Sequence, residues 1–177
     1  HKLGLAKESL IDHMYLLSEQ DEFSIVTFAS SISRMGTSAV PATAENLGKA
    51  EGHLGRFTQE SITGNLGTNT LGAIQTAFDM GPDVVVLLTD GVPTSAGGQV
   101  VETDPDKIIR AAHASNRTEA ALFIVGLEID NLGGPGELLL KQLAENTGGK
   151  VKFVGRSDLL LYKDKLAAAR PEPTQPN

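Results

Sequence analysis

The sequence predicts an α/β fold, in which a doubly wound, mostly parallel central sheet is flanked by helices. Three observations predict it. Strand-like runs alternate with helical periods along the chain, signals for helix starts and ends fall between the runs, and the run at 84–88 (VVVLL) is wholly aliphatic. Five aliphatic residues in succession are typical of a strand that is buried on both faces, in the middle of a parallel sheet.

The first half of the chain predicts a helix, a strand and two further helices. Apolar residues at spacings of three and four form one face of each helix, whereas β-branched and aromatic residues predict the strand. Thr43 is a suitable N-cap for the second helix, and Gly81 with Pro82 ends the third. The predicted elements cover residues 3–17 (helix), 23–28 (strand, FSIVTF), 47–57 (helix) and 71–78 (helix).

The second half continues the alternation from the strand at 84–88. Asp104 and Pro105 predict a helix start, because a carboxylate caps the first turn and proline suits the first helical position. The remaining predicted elements are a strand at 120–125, a helix at 137–147 closed by two glycines, a strand at 151–154 and a helix at 157–166. We therefore expect one domain over residues 1–168, followed by a proline-rich, flexible tail over 169–177.

The composition excludes several classes of protein. Lys and Arg number 15 against 22 Asp and Glu, a formal net charge of −7, so a nucleic-acid partner is not expected. The chain has no cysteine, which excludes a disulfide scaffold, an iron–sulfur site and a thiol nucleophile. No apolar run approaches the ~20 residues of a membrane span, and no targeting segment opens the chain. We expect a soluble protein whose compartment the sequence leaves open.

Two loops are candidates for a binding site. Asp90 follows the aliphatic strand after Thr89, and ligands of open α/β sheets bind at the carboxyl ends of strands. Taken by itself, this pattern is explained more simply by an ordinary Asp-Gly turn with Gly91. The loop at 64–74 (GNLGTNTLGAI) enters a helix, with Thr68 or Thr70 as a possible cap. Its glycines match neither common phosphate-binding pattern, so a nucleotide-dependent enzyme is the less favoured alternative.

Both loops carry a resemblance to a known family. The run GTNTLGAIQTAF at 67–78 and the run VVVLLTDG at 84–91 are similar to von Willebrand factor type A domains, especially the inserted domains of collagen-binding integrin α subunits. The runs ALFIVGL at 121–127 and LAENTGGKVKFV at 143–154 follow in the order of the family, so the resemblance covers most of residues 2–166. It implies a Rossmann-like fold and a non-enzymatic module for protein interaction.

The resemblance also implies a metal-ion-dependent adhesion site. Thr68 and Asp90 match the threonine and aspartate of that site, and Mg²⁺, or Ca²⁺ or Mn²⁺ in its place, would be the ion. Mg²⁺ takes oxygen ligands in octahedral geometry and keeps several waters. One position would stay open for an acidic residue of a protein partner. Asn69, Val92 and Pro93 flank the site and are expected at the rim that touches the partner.

The sequence departs from the family at its first strand. The DxSxS loop that supplies the other metal ligands is absent, and residues 1–10 are similar to the helix that follows it. We expect the strand and the loop upstream of His1, or on another chain or cleaved segment; a rearranged domain is the third alternative. Full coordination of the ion would need that segment. Without it, a metal-free scaffold domain within a larger assembly is the main rival interpretation.

The four histidines give no sign of a metal site. His1, His13, His53 and His113 are dispersed, and no pair has the spacing of metal ligands on one helix face. The Gly-x-Ser-x-Gly elbow of many hydrolases is also absent. Glu128 and Asp130 follow the strand at 120–125 and are plausible rim residues, although solvation of a loop explains them more simply.

Overall fold

A computed structural model describes residues 2–61, 67–96, 98, 100–127, 134–155 and 158. The predicted final helix, apart from residue 158, and the predicted tail lie outside the described residues, as do Glu128 and Asp130. The elements in chain order are α1 (Lys2–Met14), β1 (Glu22–Phe23), β2 (Val26–Phe28), β3 (Ile32–Arg34), β4 (Val40–Pro41), α2 (Ala44–Arg56), α3 (Thr70–Phe78), β5 (Val84–Thr89), α4 (Pro105–Ser115), β6 (Ala121–Leu127), α5 (Pro135–Glu145) and β7 (Val151–Val154).

The largest sheet is three-stranded and parallel, in the order β5-β6-β7. Val84 pairs with Ala121 at the start of β5, and Ile124 pairs with Val151 at the start of β7. Each connection between neighbouring strands contains a helix, as parallel pairing requires. The predicted α/β class is confirmed.

Two short antiparallel ribbons precede this sheet. β1 pairs with β4, and β2 pairs with β3. The run FSIVTF was predicted as one strand, but the structure divides it at Ser24 and Ile25. The carbonyl of Ile25 instead accepts a hydrogen bond of 2.9 Å from the backbone N–H of Met35. The ribbon of β2 and β3 is therefore a hairpin with its own register.

Helices α3, α4 and α5 cover one face of the parallel sheet and form the larger core with it. Within this core Leu122 and Leu140 are completely buried. Its buried members are Ile74, Phe78, Leu87, Ile108, Ala112, Ala120, Leu122, Ile124, Leu139, Leu140, Leu143 and Ala144. A second core lies between α1, α2 and the segments near β1, and contains Met14, Ile25, Ala42, Leu47, Ala50 and Leu54.

The opposite face of the parallel sheet is open in the described part of the chain. Val84 and Val86 are 52% and 56% exposed, and Phe123, which is the register partner of Val86, is 37% exposed. The expectation that the VVVLL strand is buried on both faces is therefore wrong. The physical reason is that α1 packs into the second core instead of covering these side chains.

The outer edge of β5 is also open among the described residues. β5 is the terminal strand of its sheet, and no backbone hydrogen bond between described residues joins it to β2. Phe28 of β2 nevertheless packs against the same core as β5. β2 and β5 therefore contact the same apolar core but belong to different sheets.

The sequence signals for helix ends are confirmed at three helices. The Thr43 hydroxyl accepts a hydrogen bond of 3.3 Å from the backbone N–H of Asn46 and caps α2. Asp104 caps α4 directly before Pro105. Gly148 has a φ of 74°, the left-handed conformation that ends α5 and favours glycine. Among the helices in the described ranges, none has the length and apolar character that crossing a membrane requires.

Candidate functional site

The carboxyl end of β5 meets the loop before α3 through a pair of backbone hydrogen bonds. The N–H of Thr68 donates to the carbonyl of Thr94 at 2.8 Å, and the N–H of Thr94 donates to the carbonyl of Thr68 at 3.3 Å. The hydroxyls of the two threonines are 3.4 Å apart, in a long hydrogen bond. These contacts hold the predicted site residue Thr68 against the loop that begins with Asp90.

The turn after β2 supports the same loop from the other side. The N–H of Gly67 donates to the hydroxyl of Ser30 at 2.8 Å, and the N–H of Asn69 donates to the carbonyl of Ala29 at 2.8 Å. Ser30 is 5% exposed, so its hydroxyl is committed to the interior. Three loops, following β2, preceding α3 and following β5, therefore meet at one edge of the fold.

Asn69 caps α3. Its side-chain oxygen accepts a hydrogen bond of 3.0 Å from the backbone N–H of Gly72. The expectation that Thr68 or Thr70 is the cap is wrong, because Thr68 faces Thr94 and Thr70 is already inside the helix and completely buried. Because Asn69 caps α3, the Thr68 hydroxyl is not needed to cap this helix.

Asp90 is exposed and lies directly after β5. The hydroxyl of Thr89 orders the turn that follows: it donates to the carbonyl of Gly91 at 2.9 Å and accepts from the N–H of Gly91 at 3.3 Å. Gly91 is not among the glycines with positive φ, so the turn does not need glycine for its backbone conformation. The Thr68 hydroxyl lies 4.0 Å from where a Cβ on Gly91 would stand.

The other predicted rim residues differ in accessibility. Val92 is 37% exposed and lies against Gly136 in the first turn of α5, where any side chain would overlap it. Pro93 is buried. Of the predicted rim, Val92 is therefore the most accessible, Asn69 is half-buried, and Pro93 is shielded from solvent. Their contact with a partner stays a prediction.

The described residues supply part of the donor set that a divalent cation needs. The Thr68 hydroxyl and the Asp90 carboxylate are hard oxygen donors of the kind Mg²⁺ prefers. Thr94 adds a hydroxyl that the sequence analysis missed; its only signal was its place in the loop after Asp90. Within the described ranges, no group of three or more acidic or histidine side chains could hold a metal ion. The donors present fit a cation site that is completed by further oxygen ligands.

Gly67 is a position where we expect any side chain to destabilise the fold. A Cβ there would lie 2.5 Å from the Ser30 hydroxyl and 2.7 Å from the Thr94 carbonyl oxygen. We predict that Gly67→Ala lowers the free energy of unfolding by about 1–3 kcal/mol, because the new methyl group overpacks a buried site. Urea denaturation measures the change. Gly91→Ala is the matched control in the same site, and an equal loss for both variants would contradict the prediction.

Solved structures of other proteins share this architecture. A von Willebrand factor type A protein from Catenulispora acidiphila superposes with a TM-score of 0.67 over 94% of this chain and 38% of that one, at 19% sequence identity. This chain has the von Willebrand factor type A fold. The pilus adhesin SpaC from Lactobacillus rhamnosus GG matches the fold with a TM-score of 0.65 over 96% of this chain and 27% of its own, at 11% identity.

Sequence comparison finds relatives that are much longer than this chain. Inter alpha-trypsin inhibitor, heavy chain 4, from Mus musculus is 29% identical over 166 residues, which cover 86% of this chain and 16% of the relative. The chain thus spans about one sixth of the length of that relative. No family model matches the chain.

Proposed function

We propose that this domain is a non-enzymatic protein-interaction module, and that Thr68 and Asp90 hold a divalent cation through which an acidic residue of the partner binds. The observation that supports the proposal is the backbone pairing of Thr68 with Thr94. It holds the loop that carries the Thr68 hydroxyl against the loop that begins with Asp90. That edge, at the carboxyl ends of the strands, is where open α/β sheets bind ligands.

Mg²⁺ is the ion that we propose, with Ca²⁺ or Mn²⁺ as substitutes. Thr68 and Asp90 would be two of its oxygen ligands, and waters and a further protein segment would supply others. A bound cation would supply the positive charge that attracts a carboxylate of the partner. Asp90 is exposed, and the hydroxyl of the half-buried Thr68 lies 4.0 Å from the position of a Cβ on the next residue, Gly91, so an approaching protein surface can reach this region.

The open edge of β5 is where we propose that the additional strand pairs. β5 is apolar from Val84 to Leu88, and its outer edge is unpaired within the described chain. A strand paired there would end at the same sheet edge as β5 if it ran parallel to it, and its following loop would reach Thr68 and Asp90. An upstream segment of the same protein or a separate chain could supply this additional strand.

Calorimetric titration with Mg²⁺ tests the cation site. We expect Asp90→Ala to weaken binding by at least about tenfold, since even loss of a second-shell partner typically costs 10–100-fold in metal affinity. Asp83→Ala is the matched control, because Asp83 is exposed and lies at the opposite end of β5. The titration is run on the chain alone and on a longer chain that carries the upstream residues, which we expect to bind more tightly.

Two outcomes would overturn the cation proposal. One is identical Mg²⁺ affinity with and without the upstream residues. The other is an Asp90→Ala variant that binds Mg²⁺ as tightly as the Asp83→Ala control.

A metal-free scaffold domain is the second candidate. The observation that favours it is that the described residues contain no cluster of three or more acidic or histidine side chains that could hold a metal ion. A scaffold would bind its partner equally well in EDTA and as the Asp90→Ala variant. A cation-dependent module would lose its partner in both conditions.

A further inference from the structure

A polar cavity lies apart from the candidate cation site, between the β2–β3 hairpin and the C-terminal end of α2. Its volume is about 200 Å³. The lining residues are Thr27, Ser31, Ser33, His53, Arg56, Phe57 and Ser61. Four of the seven carry hydroxyls, two carry basic groups, and no carboxylate is among them. The lining therefore carries basic groups without acidic ones, although the chain as a whole has a net charge of −7.

The floor of the cavity is held in place by buried polar groups. His53 is 5% exposed, and its Nε2 is 3.5 Å from the hydroxyl of Thr27, which is 8% exposed. Burial and the nearby charge of Arg56 lower the pKa of His53, so its imidazole is neutral at neutral pH. When the imidazole donates its Nε2 proton to the Thr27 hydroxyl, that hydroxyl keeps its own proton to donate to a ligand oxygen.

The mouth of the cavity carries a guanidinium. Arg56 is exposed and forms no ion pair with any carboxylate of the described chain. Lys7 adds a second positive charge nearby, since its Nζ donates to the carbonyl of Phe57 at 3.0 Å. The C-terminal end of a helix carries a partial negative charge, and these two cations more than offset it at the end of α2.

We propose that this cavity is a second binding site, which takes a single tetrahedral oxyanion group such as a phosphate or sulfate ester. Ligand pockets for drug-sized molecules measure about 300–1,000 Å³, so this smaller cavity suits one group rather than a whole cofactor. Arg56 recognises the charge with its fork of N–H donors, and the hydroxyls of Ser33 and Thr27 complete the hydrogen bonds, whereas the Ser61 hydroxyl already donates to the carbonyl of Thr58 at 2.8 Å. The rest of the ligand extends outward past Arg56.

Titration with inorganic phosphate in EDTA, followed by NMR, tests this proposal. We expect saturable shifts of the His53 and Ser33 signals in the parent chain. Arg56→Gln should weaken binding by at least about tenfold, because hydrogen bonds to charged groups contribute more than neutral ones. Ser33→Ala should weaken it less. Arg110→Gln is the matched control, since Arg110 is an exposed arginine on α4.

Parallel titrations with sulfate and acetate identify the anion class. Tighter binding of phosphate and sulfate than of acetate supports a tetrahedral oxyanion, whereas preference for acetate would replace it with a carboxylate ligand and overturn the proposal. Absence of saturable shifts at His53, or an Arg56→Gln variant that binds phosphate as the Arg110→Gln control does, would also overturn it. The result is independent of the cation site, because the titrations exclude divalent metal.

Discussion

Truncation of Leu140 to alanine is expected to lower the free energy of unfolding by about 2–5 kcal/mol. Leu140 is completely buried in α5, in the core that joins this helix to the parallel sheet. Alanine would remove three carbon atoms and leave a cavity that the surrounding helices and strands fill only in part. Urea denaturation followed by far-UV circular dichroism measures the change.

Leu138 provides the matched control for this prediction. It lies two residues earlier on the same helix, and its side chain is 57% exposed. Leu138→Ala deletes the same atoms and should change stability by no more than about 0.5 kcal/mol, because an exposed side chain leaves no cavity. If the two variants lost equal stability, helix propensity rather than core packing would be the cause, and the placement of α5 would be wrong.

Replacement of Gly149 by alanine is expected to cost about 3 kcal/mol, at the upper end of the range for overpacked interiors. A Cβ there would overlap the carbonyl oxygen of Leu122 and lie 2.5 Å from its carbonyl carbon. The obstacle is backbone of β6, which cannot rotate aside as a side chain can. The same region holds the start of β7, since the N–H of Ile124 donates to the carbonyl of Lys150 at 2.9 Å.

Gly52 is the contrasting glycine for that experiment. It lies inside α2, and no atom stands within 4 Å of the position its Cβ would take. Gly52→Ala should raise the free energy of unfolding by about 0.5–1 kcal/mol, because glycine is a poor helix former. Opposite signs for the two glycine variants are the expected result in thermal denaturation. A stable Gly149→Ala protein would show that β6 and the loop before β7 are further apart than the structure has them.

Local signals in the sequence predicted the elements whose ends are capped and whose interiors are periodic. Thr43, Asp104 and Gly148 act as expected, because each satisfies backbone groups within its own helix. β3 and β4 were missed. Each has only two or three residues, and β4 contains Pro41, so neither has enough alternation to be recognised. Their pairing depends on the hairpin register, which is a tertiary property.

The candidate site was predictable only in part. Thr68 and Asp90 were found through a family resemblance, and the structure holds their two loops together. Ser30 and Thr94 were not found, because their hydrogen bonds join residues far apart in the chain. The cavity beside His53 was missed entirely: its lining comes from β2, β3, α2 and the turn after it, and no single stretch carries its pattern.

The exposed strand β5 has a consequence for how the chain behaves in concentrated solution. The six-residue segment Val84–Thr89 is rich in valine and has no charge, proline or glycine. Such segments stack into cross-β fibrils when their edges are exposed. A chain whose β5 edge is unpaired therefore exposes an aggregation-prone segment. Any strand that pairs with this edge would complete the sheet and also protect the chain from aggregation.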